Sequence, residues 1–88
     1  MRLVWTPTAW NEYCQWKVED PKILQAINNL IKNIQETPFK GLGKPEPLKY
    51  ALKGWWSRRI TREHRLVYRV SGSGEKQTLE IAQCRYHY

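Results

Sequence analysis

One stretch of this sequence constrains the fold more than any other. After Asp20-Pro21, a helix cap followed by proline at the first helical position, Ile23, Leu24, Ile27, Leu30, Ile31 and Ile34 recur at helical spacing. A helix with so continuous an apolar stripe must lay it on a second apolar surface, so the stripe is core and not a ligand site. Thr6-Pro7 repeats the cap signal, and Trp10, Tyr13, Cys14 and Lys17 continue it as a shorter helix reaching about Val18. The opposing surface has to come from the rest of the 88 residues, enough for one modest core and one domain spanning 1–88.

Thr37-Pro38 ends the long helix, and the glycine-, proline- and lysine-rich segment from Phe39 to Pro47 reads as a loop. Four strand candidates follow: Leu48–Leu52, Trp55–Thr61, Arg65–Val70 and Thr78–Tyr88. Turn signals at Lys53-Gly54, Arg62-Glu63-His64 and Ser71-Gly72-Ser73-Gly74 divide them. With a short first strand over Arg2 to Thr6, the pattern predicts an α+β domain. Two helices pack on one face of a twisted antiparallel sheet.

Charge is distributed unevenly. Residues 1–38 balance to zero, whereas residues 39–88 carry eleven Lys/Arg against Glu46, Glu63, Glu75 and Glu80, so the whole net charge of +7 lies there. Such asymmetry calls for an anionic partner, nucleic acid first and an acidic protein second. No apolar run approaches the roughly 18 residues of a membrane span, and Met1 to Trp5 holds none long enough for a signal peptide. Cys14 and Cys84 fit no zinc or redox spacing, so no metal or other cofactor is expected, and the chain reads as cytoplasmic with reduced thiols.

Strand alternation places Leu66, Tyr68 and Val70 on one face and Arg65, Val67 and Arg69 on the other. In the last strand Ala82, Cys84 and Tyr86 alternate with Gln83, Arg85 and His87, and Ile60 opposes Arg59. If the apolar set meets the helices, Arg59, Arg65, Arg85 and His87 share an open basic face, unless a bulge shifts the register. RNA carries its own nucleophile, the 2′-hydroxyl. A metal-independent ribonuclease then needs a base, a cation for the phosphorane and an acid for the departing 5′-oxygen. Glu46, Arg59, Arg65 and His87 supply those types within the basic half. The solvated-surface reading stands beside each of them: His64 is a turn residue, and Trp55-Trp56 serve packing or base stacking.

Three ordered motifs carry a resemblance. Pro38-Phe39-Lys40-Gly41-Leu42-Gly43-Lys44-Pro45-Glu46-Pro47-Leu48-Lys49 resembles the loop signature of the YoeB (Txe) toxins of the RelE superfamily. Trp56-Ser57-Arg58-Arg59-Ile60-Thr61 with Glu63-His64-Arg65-Leu66-Val67-Tyr68 is similar to that family's central hairpin. Cys84-Arg85-Tyr86-His87-Tyr88 is similar to its end. The resemblance implies the toxin of a type II toxin–antitoxin pair, a ribosome-dependent endoribonuclease that cuts mRNA in the ribosomal A site. It implies Glu46 as general base, Arg65 on the phosphorane, His87 as general acid and Tyr88 ordering the substrate. Lys44, Lys49, Arg59 and Arg85 are the expected RNA or phosphate contacts. The expected partners are a YefM-type antitoxin, the ribosome and mRNA, operator DNA only through the antitoxin, and a second copy of the chain. A noncatalytic RNA- or ribosome-binding module is the main rival; a DNA reader is disfavoured because no helix is basic enough for a groove.

Overall fold

The computed structural model describes residues 1–86; His87 and Tyr88 lie outside the described residues. Both predicted helix starts are capped as the sequence implies. The Thr6 side chain accepts from the Ala9 N–H at 3.1 Å and begins α1, Pro7–Glu19. Asp20 accepts from the Lys22 N–H at 3.1 Å and begins α2, Pro21–Glu36. Each cap satisfies one of the amides that a helix start leaves without a partner.

The strands are β1 (Arg2–Trp5), β2 (Glu46–Pro47), β3 (Trp56–Arg59), β4 (Arg65–Ser71) and β5 (Thr78–Gln83). They form one sheet in the order β1-β5-β4-β3-β2. It is mixed rather than wholly antiparallel, because β1 runs parallel to β5, with Leu3 opposite Leu79 and Trp5 opposite Ile81. Parallel neighbours need a long crossover connection, and the two helices that follow β1 begin that crossover. Ile27, Leu30, Ile31 and Ile34 of α2 and Ala9 and Trp16 of α1 pack on Leu66, Tyr68, Leu79, Ile81 and Cys84. Full burial of each large aliphatic side chain there contributes about 1.5–3 kcal/mol.

Two strand boundaries differ from expectation. Leu48–Leu52 is not a strand: after β2 the chain makes a single 3₁₀ turn over Tyr50–Leu52, with Tyr50 at φ +56°. The Leu48 N–H still donates to Trp55 O at 2.9 Å, but the Trp55 N–H turns to Leu52 O at 3.0 Å and the Leu52 N–H to Lys49 O at 3.1 Å, so the turn takes the bonds a longer ladder would need. The last strand ends at Gln83 instead of running on to Tyr88, because Cys84 turns to α1. Its N–H donates to Glu12 Oε1 at 2.8 Å and its carbonyl accepts from Trp16 Nε1 at 2.9 Å.

A β-bulge sets the phase of that strand. Val67 faces Gln83 while Tyr68 faces Ile81, which leaves Ala82 as the extra residue. The bulge lets Leu79, Ile81 and Cys84 all enter the core although their spacing is not uniformly two. Among the described residues no helix is long and apolar enough to cross a membrane.

Candidate active site on the sheet face opposite the helices

Register places the candidate residues. Glu46 pairs with Ser57, Ser57 with Val67 and Val67 with Gln83; two residues along, Arg59 pairs with Arg65. Directly paired residues project to the same side of a sheet, so Glu46, Arg59 and Arg65 share the face away from Leu66 and Tyr68. Glu46 and Arg65 are separated by two strand spacings across and two residues along, about 12 Å between Cα atoms. Glu46 and Arg59 are exposed and Arg65 half-buried, while Ser57 and Val67 between them are buried. The face is therefore less open than the alternation predicts, with a buried floor between charged rims.

Local bonds hold each rim. Arg65 Nη1 donates to Thr61 O, Arg62 O and His64 O at 3.0, 3.2 and 3.2 Å, which fixes the guanidinium against the β3–β4 turn. The Arg59 N–H donates to Gly43 O at 2.7 Å and ties the glycine-rich loop to β3. Gly43 sits at φ +77°, where a Cβ would meet Arg59 O and the Leu30 side chain, both at 2.9 Å. That close approach requires glycine. Lys44, itself at φ +52°, is exposed just before Glu46, and exposed Lys49 opens the 3₁₀ turn. The basic loop thus borders the same edge as the carboxylate.

Arg85 is not where alternation put it. It does not join Arg59 and Arg65; its Nη1 pairs with Glu19 Oε2 at 2.5 Å and reaches Gln15 Oε1 at 3.2 Å, with the guanidinium 4.3 Å from the Trp16 ring. The bond from Arg85 holds the Glu19 carboxyl below its ordinary value, and the same bond, with a further contribution from Tyr86, raises that of Arg85. The bulge and the turn toward α1 explain the change of side. Tyr86 is likewise exposed, at φ +60°, instead of facing the core. The expected roles of His87 and Tyr88 fall outside the described residues.

Two residues that sequence reasoning passed over hold this site together. Arg58 is 0% exposed. Its Nε donates to Tyr68 Oη at 3.1 Å, its Nη1 to Asn33 Oδ1 and Leu42 O, and its Nη2 to Thr37 O and Lys40 O. It clamps the segment that leaves α2 and leads to Glu46. Alternation held the signal: Arg58 lies between Trp56 and Ile60, both on the core side. His64 is buried, with its Nδ1 accepting from the Tyr86 N–H at 2.8 Å. Of the tryptophan pair, Trp56 packs on the core and against Phe39, and Trp55 lies under Arg69 at 4.4 Å.

Residues 5–88 match the family described as the YoeB-like toxin of bacterial type II toxin–antitoxin systems. The chain belongs to the YoeB family. Toxin YoeB of Escherichia coli K12 is 53% identical to this family member over 88 residues, the full length of both. A YoeB/ParE toxin from Agrobacterium tumefaciens, 59% identical and covered completely in both chains, superimposes with a TM-score of 0.96. The Staphylococcus aureus YoeB is 40% identical over 100% of this chain and 98% of its own, with a TM-score of 0.89. It has been solved as a dimer and in a heterotetrameric YoeB–YefM complex. This YoeB-family chain is thus a type II toxin, and the sheet face bearing Glu46, Arg59 and Arg65 is its candidate active site.

Proposed function

We propose that this toxin is a ribosome-dependent endoribonuclease that cleaves mRNA in the A site by attack of a 2′-hydroxyl on the adjacent phosphodiester. The observation that carries the reading is the register that puts Glu46 on one face with Arg59 and Arg65. Glu46 removes the 2′-hydroxyl proton, and the new 2′-oxygen–phosphorus bond forms as the bond to the 5′-oxygen breaks. Arg65, already oriented by the turn carbonyls, faces the charge that builds on the phosphorane. His87 gives its proton to the departing 5′-oxygen, leaving a cyclic phosphate and a 5′-hydroxyl, and Tyr88 orders the substrate. Lys44, Lys49 and Arg59 hold phosphates. Arg85 reaches RNA only by leaving Glu19.

The rival reading is a noncatalytic ribosome- or RNA-binding module, since a basic face with aromatics also serves binding. Glu46 separates the two, because a carboxylate beside a phosphate path opposes binding. Glu46→Gln should keep ribosome binding and lower single-turnover cleavage of A-site mRNA by about 10²–10⁴-fold. Cleavage at the wild-type rate sinks the role given to Glu46. By analogy with the S. aureus YoeB–YefM complex and YoeB dimer, the partner is a YefM-type antitoxin and the toxin pairs with a second copy of itself; contact with operator DNA, through the antitoxin alone, is a further part of the proposal. Activity on translating ribosomes implies a cytoplasmic site of action. Growth arrest on induction, relieved by the neighbouring antitoxin gene, tests identity and partner together.

A further inference from the structure

His64 has an environment that a turn residue does not need. Thr61 Oγ1 accepts from the N–H groups of Glu63 and His64, both at 3.2 Å, which shapes the turn before it. His64 is 8% exposed and its ring meets Trp16 of α1 edge-on, with centroids 4.8 Å apart. Nδ1 accepts from the Tyr86 N–H at 2.8 Å, and the neighbouring Arg65 N–H donates to Tyr86 O at 3.1 Å. These two bonds lie on either side of the Tyr86 Cα and hold the residue to which His87 is joined. Tyr86 adopts φ +60°, uncommon for a bulky side chain and kept only where the surroundings impose it. A backbone N–H can only donate, so Nδ1 is the unprotonated nitrogen and the ring proton is on Nε2.

We propose that His64 is a positioning residue for the cleavage reaction, its unprotonated Nδ1 fixing Tyr86 so that the next residue is delivered to the RNA. This rests on the reading of His87 as the acid. One peptide segment then links both halves of the chemistry. Arg65 faces the phosphate with its side chain and anchors Tyr86 with its amide, while His64 completes the anchor. Misplacing a catalytic group by about 1 Å costs on the order of 10²-fold in rate, so a single anchoring bond can decide activity.

The test is single-turnover cleavage of mRNA on programmed ribosomes by wild type and by His64→Asn, His64→Gln and His87→Gln, with melting temperature and ribosome affinity measured for each. Asparagine Oδ1 stands where Nδ1 stands, whereas glutamine offers its carbonyl farther out, near the Nε2 position. Both lose the packing on Trp16. His64→Gln should lower the rate about 10²-fold with ribosome affinity unchanged, and His64→Asn should restore most of it. The double variant His64→Gln/His87→Gln should cleave no more slowly than His87→Gln alone, since there is no acid left to position. Equal rates for the Asn and Gln variants, or a double variant slower by the product of both effects, overturn the proposal. Should the variants fail to fold, the ¹⁵N resonances of wild-type His64 decide: a protonated Nδ1 overturns it. Wild-type cleavage by His87→Gln overturns the reading of the acid instead, a result distinguishable from failure at His64.

Discussion

Arg58 offers the sharpest test of how the site is held. Replacing it with methionine keeps most of the apolar stem and removes every donor. Of its five acceptors, three keep another bond: Asn33 Oδ1 still receives the Leu42 N–H, Lys40 O the Thr37 hydroxyl, and Tyr68 Oη still donates to Pro38 O. Thr37 O and Leu42 O lose their side-chain donor. Leu42 is exposed and its carbonyl can turn to water, whereas Thr37 is half-buried. Hydrogen bonds from a charged group contribute about 1.5–3 kcal/mol each, and relief from the desolvation cost of burying a charge offsets part of the loss. The net expectation is about 3 kcal/mol. An 88-residue domain has a stability of roughly 4–13 kcal/mol. At about 4–8 °C per kcal/mol, the melting temperature should fall by roughly 12–24 °C. Urea unfolding followed by tryptophan fluorescence, with calorimetry for the midpoint, measures it. Arg58→Lys should fall between, because one ammonium cannot span acceptors on α2, the loop and β4. A methionine variant within 1 kcal/mol of wild type refutes the clamp.

The other expectations are more local. Burial, reinforced by the Glu12 carboxylate and opposed by Arg85, pushes the Cys84 thiol up to about 12. The unfolded chain gives up that proton near its ordinary value of about 8.5 while the folded chain keeps it, so stability falls as pH rises from about 9 toward 12, by about 1.4 kcal/mol per unit. The excess loss of wild type over Cys84→Ala between pH 8 and 10 reads this, and an identical slope in the two contradicts it. Native-state alkylation should label half-exposed Cys14 and spare Cys84. The Glu19 carboxyl should titrate below the ordinary carboxylate range and return to it in Arg85→Met; the pairing acts above that range and is lost as pH falls through the folded value. Gly43→Ala should cost about 1–3 kcal/mol, through its positive φ and the contacts with Arg59 O and Leu30. A denaturant midpoint equal to that of wild type removes the case for a required close approach.

What the sequence made legible was local. The caps at Thr6 and Asp20, the α2 stripe, and the alternation that turns Leu66 and Tyr68 inward and Arg59 and Arg65 outward all depend on near neighbours. They survive in the fold unchanged. The parallel pairing of β1 was not legible, since four residues carry no signal of direction and their partner lies more than seventy positions away. Nor was the bulge at Ala82, which reverses side-chain phase and, with the Glu12 and Trp16 bonds, carries Arg85 to Glu19. Leu48–Leu52 has strand-like composition, but the turn from Lys49 to Leu52, with Tyr50 left-handed, ends the ladder after Leu48. Burial of Arg58 was readable from its place between Trp56 and Ile60, yet its charge argued for solvent. The five acceptors that make burial tolerable come from three separate segments. The role of His64 depends on a partner 22 residues away that presents only a backbone amide.

The central claim is that the RNA supplies its own nucleophile on the face shared by Glu46, Arg59 and Arg65. The most direct measurement uses mRNA carrying a single 2′-deoxy nucleotide at the scissile position, bound in the A site of programmed ribosomes, with wild-type toxin and cleavage read by primer extension. Toxin binding should be unchanged and no cut should appear at that position, with cutting restored when the 2′-hydroxyl is restored. A cut at the deoxy position at the wild-type rate would contradict the claim.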